Sequence, residues 1–339
     1  MKSFPGISII VPAYNNPVEL DLCLHSLEES ELRHQSEIIV IDDCSPGEGR
    51  AIEETAKKYK AGFYRQAENA GPGVARNRGA DEARGDILVF IDSDCVAPAG
   101  WLSRLIQPIR DGSCFATTSC YSGPVTPGWI TIFQDEDYRY RMPSTECDTS
   151  FVNSCNFAID RNTFLTCGGF PEQRISEDFV LGLMLAERGT PARYLPDAGV
   201  RHNYYKTLHS YLRQRFSFAF NTVRSYLVRD KSGPKEATSG TRSFNPVRTA
   251  LGMFFCSAAL ISFILAGAAA VLNLDYAAAL MLGGLAGLLL EIAVHGRFLL
   301  FLTKRMGPRR SVSYIFLLCL IDLVYVYAVL KALAGAMSG

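Results

Sequence analysis

The sequence carries no net charge, since 34 basic residues balance 34 acidic ones. A chain so balanced has no overall electrostatic footprint for nucleic acid, so no nucleic-acid partner is expected and any basic patch must be local. It also lacks a C-x-x-C pair and any histidine at zinc-ligand spacing, so its ten scattered cysteines read as reduced packing thiols. The apolar run at the N-terminus is broken by Pro12 and is too short for a signal-peptide core, so the first domain is expected to stay in the cytoplasm. Length is what remains: 339 residues allow one large domain of about 200 to 250 residues and a smaller unit.

Up to about residue 200, short β-rich runs alternate with helix-like stretches, the pattern of an α/β domain with a largely parallel sheet. Strands are predicted over 6–11, 37–41 and 86–91, and helices over 17–29 and 72–84. Asn16 stands as the cap of the first helix and Pro17 at its first position. Strand ends deliver Asp42-Asp43 and Asp92, at the edge where open α/β sheets bind ligands. From Thr249 the composition changes. Residues 250–272 are 23 uncharged residues in a row, roughly 35 Å as a helix and enough to cross a bilayer core. Two further spans are expected at about 276–294 and 312–331, carrying Glu291 and Asp322. Acids in a membrane point to function, so contact with a lipid-linked acceptor headgroup stands beside pairing with another helix.

The expected organisation is therefore 1–230 catalytic, 231–248 linker and 249–339 membrane domain. Arg297, Lys304, Arg305, Arg309 and Arg310 lie between the second and third spans with no acid among them. By the positive-inside rule that connection is cytoplasmic, which gives a multi-pass plasma-membrane protein with its first domain in the cytoplasm. Before the linker, 204–229 reads as a helix mixing aromatics with arginines, suited to a membrane surface or to closing the first domain.

Asp92 and Asp94 bracket Ser93 just after a buried strand, so alternation points both carboxylates the same way, toward a divalent cation such as Mg²⁺ or Mn²⁺. Asp42 and Asp43 suit either a base N–H or a turn ahead of Ser45-Pro46-Gly47. Glu177-Asp178 suits an acidic first helical turn, favoured by the macrodipole.

Five motifs then stand in order: Val11-Pro12-Ala13-Tyr14-Asn15, Val40-Ile41-Asp42-Asp43-Cys44-Ser45, Asn69 to Asn77 around Gly71-Pro72-Gly73, Phe90-Ile91-Asp92-Ser93-Asp94, and Ser176-Glu177-Asp178. In order and spacing they resemble the family 2 glycosyltransferases, over residues 7 to about 225. The resemblance implies a GT-A fold, a mixed and mostly parallel sheet, followed by the membrane helices. It implies that Pro12, Ala13, Tyr14 and Asn15 line the base pocket of a UDP- or GDP-sugar, with Asp43 and Asp42 on the base. Gly71, Arg76 and Asn77 would face ribose and diphosphate, with Asp92 and Ser93 beside them. Asp94, with Asp92 and His202, would hold the metal, His202 being open also to a phosphate contact. Asp178, with Glu177, would supply the general base of an inverting displacement, and Asn153, Asn156 and Arg215 the acceptor side.

Processive synthases of the family carry Gln-x-x-Arg-Trp where this chain has Leu212, Arg215 and Phe216. Transfer of one sugar to a lipid-linked or glycan acceptor, in cell-envelope or exopolysaccharide synthesis, is the resulting expectation. A processive polymerase and a non-catalytic nucleotide-sugar-binding scaffold are the alternatives.

Overall fold

The computed structural model describes residues 6–172, 177–228 and 246–337. Ser176 and residues 231–245 of the expected linker lie outside them. The described residues form two compact units that interleave in sequence. The first comprises 6–127, 142–172 and 177–204; the second 128–141, 205–228 and 246–337.

In the first unit the strands are β1 (Ile7–Ala13), β2 (Ser36–Asp42), β3 (Gly62–Arg65), β4 (Ile87–Ile91), β5 (Cys95–Val96), β6 (Ala116–Thr118), β7 (Tyr121–Pro124), β8 (Cys147–Thr149), β9 (Asn156–Asp160), β10 (Ala192–Tyr194) and β11 (Val200–His202). The helices are α1 (Pro17–Glu28), α2 (Arg50–Lys58), α3 (Pro72–Glu82), α4 (Trp101–Arg110), α6 (Arg161–Cys167) and α7 (Glu177–Glu187), while α5 (Trp129–Arg141) leaves to join the second unit. An eight-stranded mixed sheet runs β3-β2-β1-β4-β9-β6-β10-β8, with β3, β2, β1 and β4 mutually parallel.

The central strands are buried on both faces, which is why they read as unbroken apolar runs. Alternation divides them between two cores. Ile7, Ile9, Val11, Val89 and Ile91 pack with α1, α2 and α4, whereas Ile10, Leu88 and Phe90 pack with α3, α6 and α7. In the second core the Phe90 ring meets Phe157, Phe164 and Phe170 at 5.3 to 5.9 Å.

Gly182 of α7 lies so close to the segment after β8 that a Cβ there would sit 1.9 Å from the Ser150 carbonyl oxygen. In an open helix interior Gly→Ala stabilises by about 1 kcal/mol. At Gly182 the overlap with fixed backbone reverses the sign. Gly182→Ala is expected to destabilise the protein by about 1–3 kcal/mol, measured as a fall in the urea midpoint at unchanged slope.

The second unit holds α5, α8 (Leu208–Val228), α9 (Pro246–Val271), α10 (Ala277–Val294), α11 (Gly296–Met306), α12 (Pro308–Ser313) and α13 (Ile315–Met337). Three stretches, Thr249–Val271, Ala277–Val294 and Pro308–Gly335, are long and apolar enough to cross a membrane. Small residues bring α9 and α10 together: a Cβ on Gly287 would lie 3.0 Å from the Ala259 Cβ. The basic connection that reads as a loop is helical, because Phe298 and Leu302 form a buried i, i+4 stripe that meets Phe133, Tyr140 and Tyr314.

Candidate active site

The ends of β1, β2 and β4, with α3 and α7, line a cleft of about 390 Å³ in the first unit. Pro12, Ala13 and Tyr14 line one side from the end of β1. Asp92, Ser93 and Asp94 line another just after β4, and Arg76 of α3 and Glu177 of α7 a third. Asn15 takes a left-handed backbone conformation and its N–H donates to Ser45 Oγ at 2.8 Å, which holds the turn carrying Tyr14.

Asp43 gathers three donors. Its Oδ1 accepts from the Ala70 N–H at 2.9 Å and from Gln66 Nε2 at 2.8 Å, and its Oδ2 from the Gly71 N–H at 2.9 Å. Gly71 precedes α3 with a positive φ of 97°. The carboxylate therefore occupies the anion-favouring entry to that helix. Asp42, by contrast, is fully buried, takes the Ser45 N–H at 3.0 Å and pairs with Arg65. It is spent on the turn and does not line the cleft.

Arg76 is the hub. Its Nη2 donates to Asp92 Oδ1 at 2.7 Å and its Nη1 to Glu177 Oε1 at 3.0 Å, tying α3 to the end of β4 and to α7. Gly73 admits this approach, since a Cβ there would lie 3.0 Å from Glu177 Cγ. Arg76 itself is buried, 2% exposed.

Asp94 meets His202, with Oδ2 and Nε2 3.4 Å apart. The cause is topological: β11 pairs antiparallel with β5, setting His202 opposite Cys95, and the Asn203 N–H donates to the Asp94 carbonyl at 2.9 Å. Burial pushes the Asp94 carboxyl up, yet the His202 contact, together with a backbone N–H and the Cys95 thiol, outweighs it and holds the group below the usual carboxylate range. His202 Nδ1 is buried without a partner, and the ring is gripped by Tyr121 and Tyr204 at 4.4 and 4.5 Å. Asp94, Cys95 and His202 offer ligand atoms within 4.8 Å of one another.

Asp178 follows Glu177 in the first turn of α7 and bonds its own chain, the Phe179 N–H donating to Oδ1 at 2.8 Å. Burial, with the Glu177 charge beside it, raises its pKa to about 6.

Three expected site residues are turned inward. Asn77 is bonded in both directions to the Phe170 backbone, at 2.7 and 2.9 Å. Asn156, fully buried, accepts from Trp101 Nε1 and donates to the Cys120 and Ala198 carbonyls. Asn153 donates to the Ser119 carbonyl and takes the Cys155 thiol. Their polar atoms hold loops together and do not reach the cleft. Arg215 belongs to the second unit, where it lies over the Tyr211 ring at 5.0 Å.

The cleft also holds Asn16, Pro72 and Ser154, outside the expected set. Asn16 occupies the cap position of α1 but makes no side-chain cap bond; its amide donates to Ser93 Oγ at 2.7 Å. Its signal was its place directly after β1. Ser154 sits between two inward asparagines, where the turn before β9 sends its side chain the other way.

Four carboxylates, from Asp43, Asp92, Asp94 and Glu177, thus face one guanidinium across the cleft. Such a lining rejects a bare anion and favours one arriving with a divalent cation. Asp94 and His202, one oxygen and one nitrogen donor aimed together, fit such an ion.

The family model described as "Glycosyl transferase family 2" matches residues 8–167. A dolichol-phosphate mannosyltransferase of Pyrococcus furiosus is 32% identical over 116 residues, 34% of this chain and 33% of that protein. A GalNAc(5)-diNAcBac-PP-undecaprenol beta-1,3-glucosyltransferase of Campylobacter jejuni is 30% identical over 119 residues, 34% of this chain and 38% of that protein. The matched part therefore spans between a third and two-fifths of those relatives. Among solved structures, a mannosyltransferase from Pyrobaculum calidifontis in complex with GDP-Man and Mn²⁺ superposes with a TM-score of 0.55 at 18% identity, over 98% of this chain and 88% of that one. That likeness is one of fold. Residues 8–167, a little under half of the chain, thus match the family 2 glycosyltransferase model.

Proposed function

We propose that the chain transfers one sugar, with inversion, from a UDP- or GDP-sugar to a membrane-associated or lipid-linked acceptor at the cytoplasmic face of the plasma membrane. The observation that carries the reading is Asp94, paired with His202 and lining a carboxylate-rich cleft beside Arg76. The two relatives named above, one of dolichol-phosphate and one of an undecaprenol-linked glycan, support the lipid-linked acceptor. The three apolar helices support the membrane, and the basic stretch after the second supports the orientation.

In this reading Tyr14, Ala13 and Asp43 hold the nucleoside, and Asp92 and Arg76 orient ribose and diphosphate. Mg²⁺ or Mn²⁺ held by Asp94 and His202, with Asp92 beside them, would offset charge on the departing diphosphate. Asp178 takes the proton of the acceptor hydroxyl as that oxygen attacks the anomeric carbon from the face opposite the nucleotide. Glu177 anchors Arg76 and keeps charge beside Asp178. One displacement without a covalent enzyme intermediate inverts the configuration. Leu212 and Phe216, in place of the Gln and Trp of processive synthases, support single transfer.

The test is the purified full-length protein with a panel of nucleotide sugars and Mn²⁺, measuring free nucleotide. Release from at least one donor, dependent on metal, is expected; no release and no metal-dependent nucleotide binding with any donor removes the proposal. Asp94→Asn is expected to weaken Mn²⁺-dependent donor binding by about 10–100-fold, measured by calorimetry. Unchanged binding would take Asp94 out of the metal site.

A further inference from the structure

Glu291, His295 and Asp322 meet inside the second unit, far in sequence from the family domain. Glu291 and His295 stand four residues apart on one face of α10 and its C-cap, and Asp322 comes from α13. All three are buried, at 1%, 9% and 3% exposure. His295 Nε2 lies 2.9 Å from Asp322 Oδ2 and 3.1 Å from Glu291 Oε1. A Cβ on Gly252 of α9 would fall 2.6 Å from Asp322 Oδ2, so glycine there leaves room for the carboxylate.

Hydrogen bonding within the cluster leaves Glu291 incompletely satisfied. One ring nitrogen has one hydrogen, and its bond goes to Asp322. Both Glu291 oxygens are then left buried without a hydrogen-bond partner. Two carboxylates, a neutral imidazole and a divalent cation sum to zero; a proton between the two acids beside an imidazolium does so too, but only the cation also occupies both Glu291 oxygens. The three ligand atoms lie within 4.8 Å of one another, and the i, i+4 spacing with a third ligand from a neighbouring helix converges on one point. Beside them is a cavity of about 70 Å³ lined by His295, Asp322, Asp137, Arg215 and Tyr325, with room for an ion's water ligands.

We infer that Glu291, His295 and Asp322 form a second divalent metal site, of the Zn²⁺ class, that ties α10 to α13. The mixed nitrogen and oxygen donor set selects a borderline transition ion over Ca²⁺. The site is separate from Asp94 and His202, so it stands whether or not the proposed transfer reaction is correct.

The test uses the full-length protein in detergent, carrying Asp94→Asn and His202→Asn so that the donor site contributes no ion. After chelation and return of Zn²⁺, about one equivalent per chain is expected by elemental analysis, with one imidazole in the X-ray absorption fine structure. Adding Glu291→Gln is expected to remove that equivalent. If Glu291→Gln disturbs folding, Co²⁺ added to the chelated parent reads the site directly, through ligand-field bands in the visible. No ion above background, with no Co²⁺ bands, in monodisperse protein overturns the inference. So does full retention of the ion by a folded Glu291→Gln variant.

Discussion

Asp178→Asn is expected to lower kcat by about 10²–10⁴-fold while leaving donor binding nearly intact. It is also expected to make the protein more stable at neutral pH. The two effects share a cause. Burial and the neighbouring Glu177 raise the Asp178 pKa from 3.8 to about 6, so the folded state resists the charge that a base requires. The sign follows from proton linkage. The unfolded chain releases this proton near its ordinary pKa and the folded chain only at about 6. The stability belonging to the protonated group is full below pH 3.8 and is lost as pH rises through about 6. An amide escapes that loss, gaining about 3 kcal/mol at pH 7, and it still accepts the Phe179 N–H that Asp178 holds. Kinetically, kcat/KM of the wild type should fall on the acid side of about pH 6, with that limb absent from the residual activity of the variant. A variant that loses stability and keeps turnover would mean that Asp178 is only a helix cap.

How far such a site can be read before folding depends on what holds each residue. β1, β2 and β4 are legible because burial on both faces demands continuous Ile, Val, Leu and Phe, and their polar ends fall where the cleft lies. The contact of Asp94 with His202 is different in kind. It depends on β5 and β11, of two and three residues, too short for any periodicity to register. Asn77 and Asn156 have the residue type of a sugar-binding group, yet their hydrogen-bonding capacity is consumed by backbone from distant segments, which only the folded chain reveals. The same holds for α5, whose sequence position lies within the first domain while Ile130, Phe133 and Tyr140 pack in the second unit. Apolar stripes declare that a helix is buried, not against what. Asp322, an acid in an apolar run, announces a partner, but not that the partner is His295.

Arg76→Ala should be among the most destabilising single changes in the first unit, about 3–5 kcal/mol by urea unfolding. The guanidinium is 2% exposed and bridges Asp92 to Glu177, so its removal leaves Glu177, itself 7% exposed, without its counter-ion. Arg76→Lys cannot replace it, because a single ammonium lacks the fork that reaches two carboxylates on different elements. A double-variant cycle separates this account from simple loss of packing around Phe170, whose ring lies 5.5 Å from the Arg76 guanidinium carbon. If stranded charge is the cause, Glu177→Gln in the Arg76→Ala background restores part of the stability, a coupling of about 0.5–3 kcal/mol. If packing is the cause, the two changes add, and the charged bridge does not hold α3, β4 and α7 in register. Function follows the same division: Asp92 loses the group that aims its carboxylate into the cleft, so Arg76→Ala should weaken donor binding even under conditions where the variant remains folded.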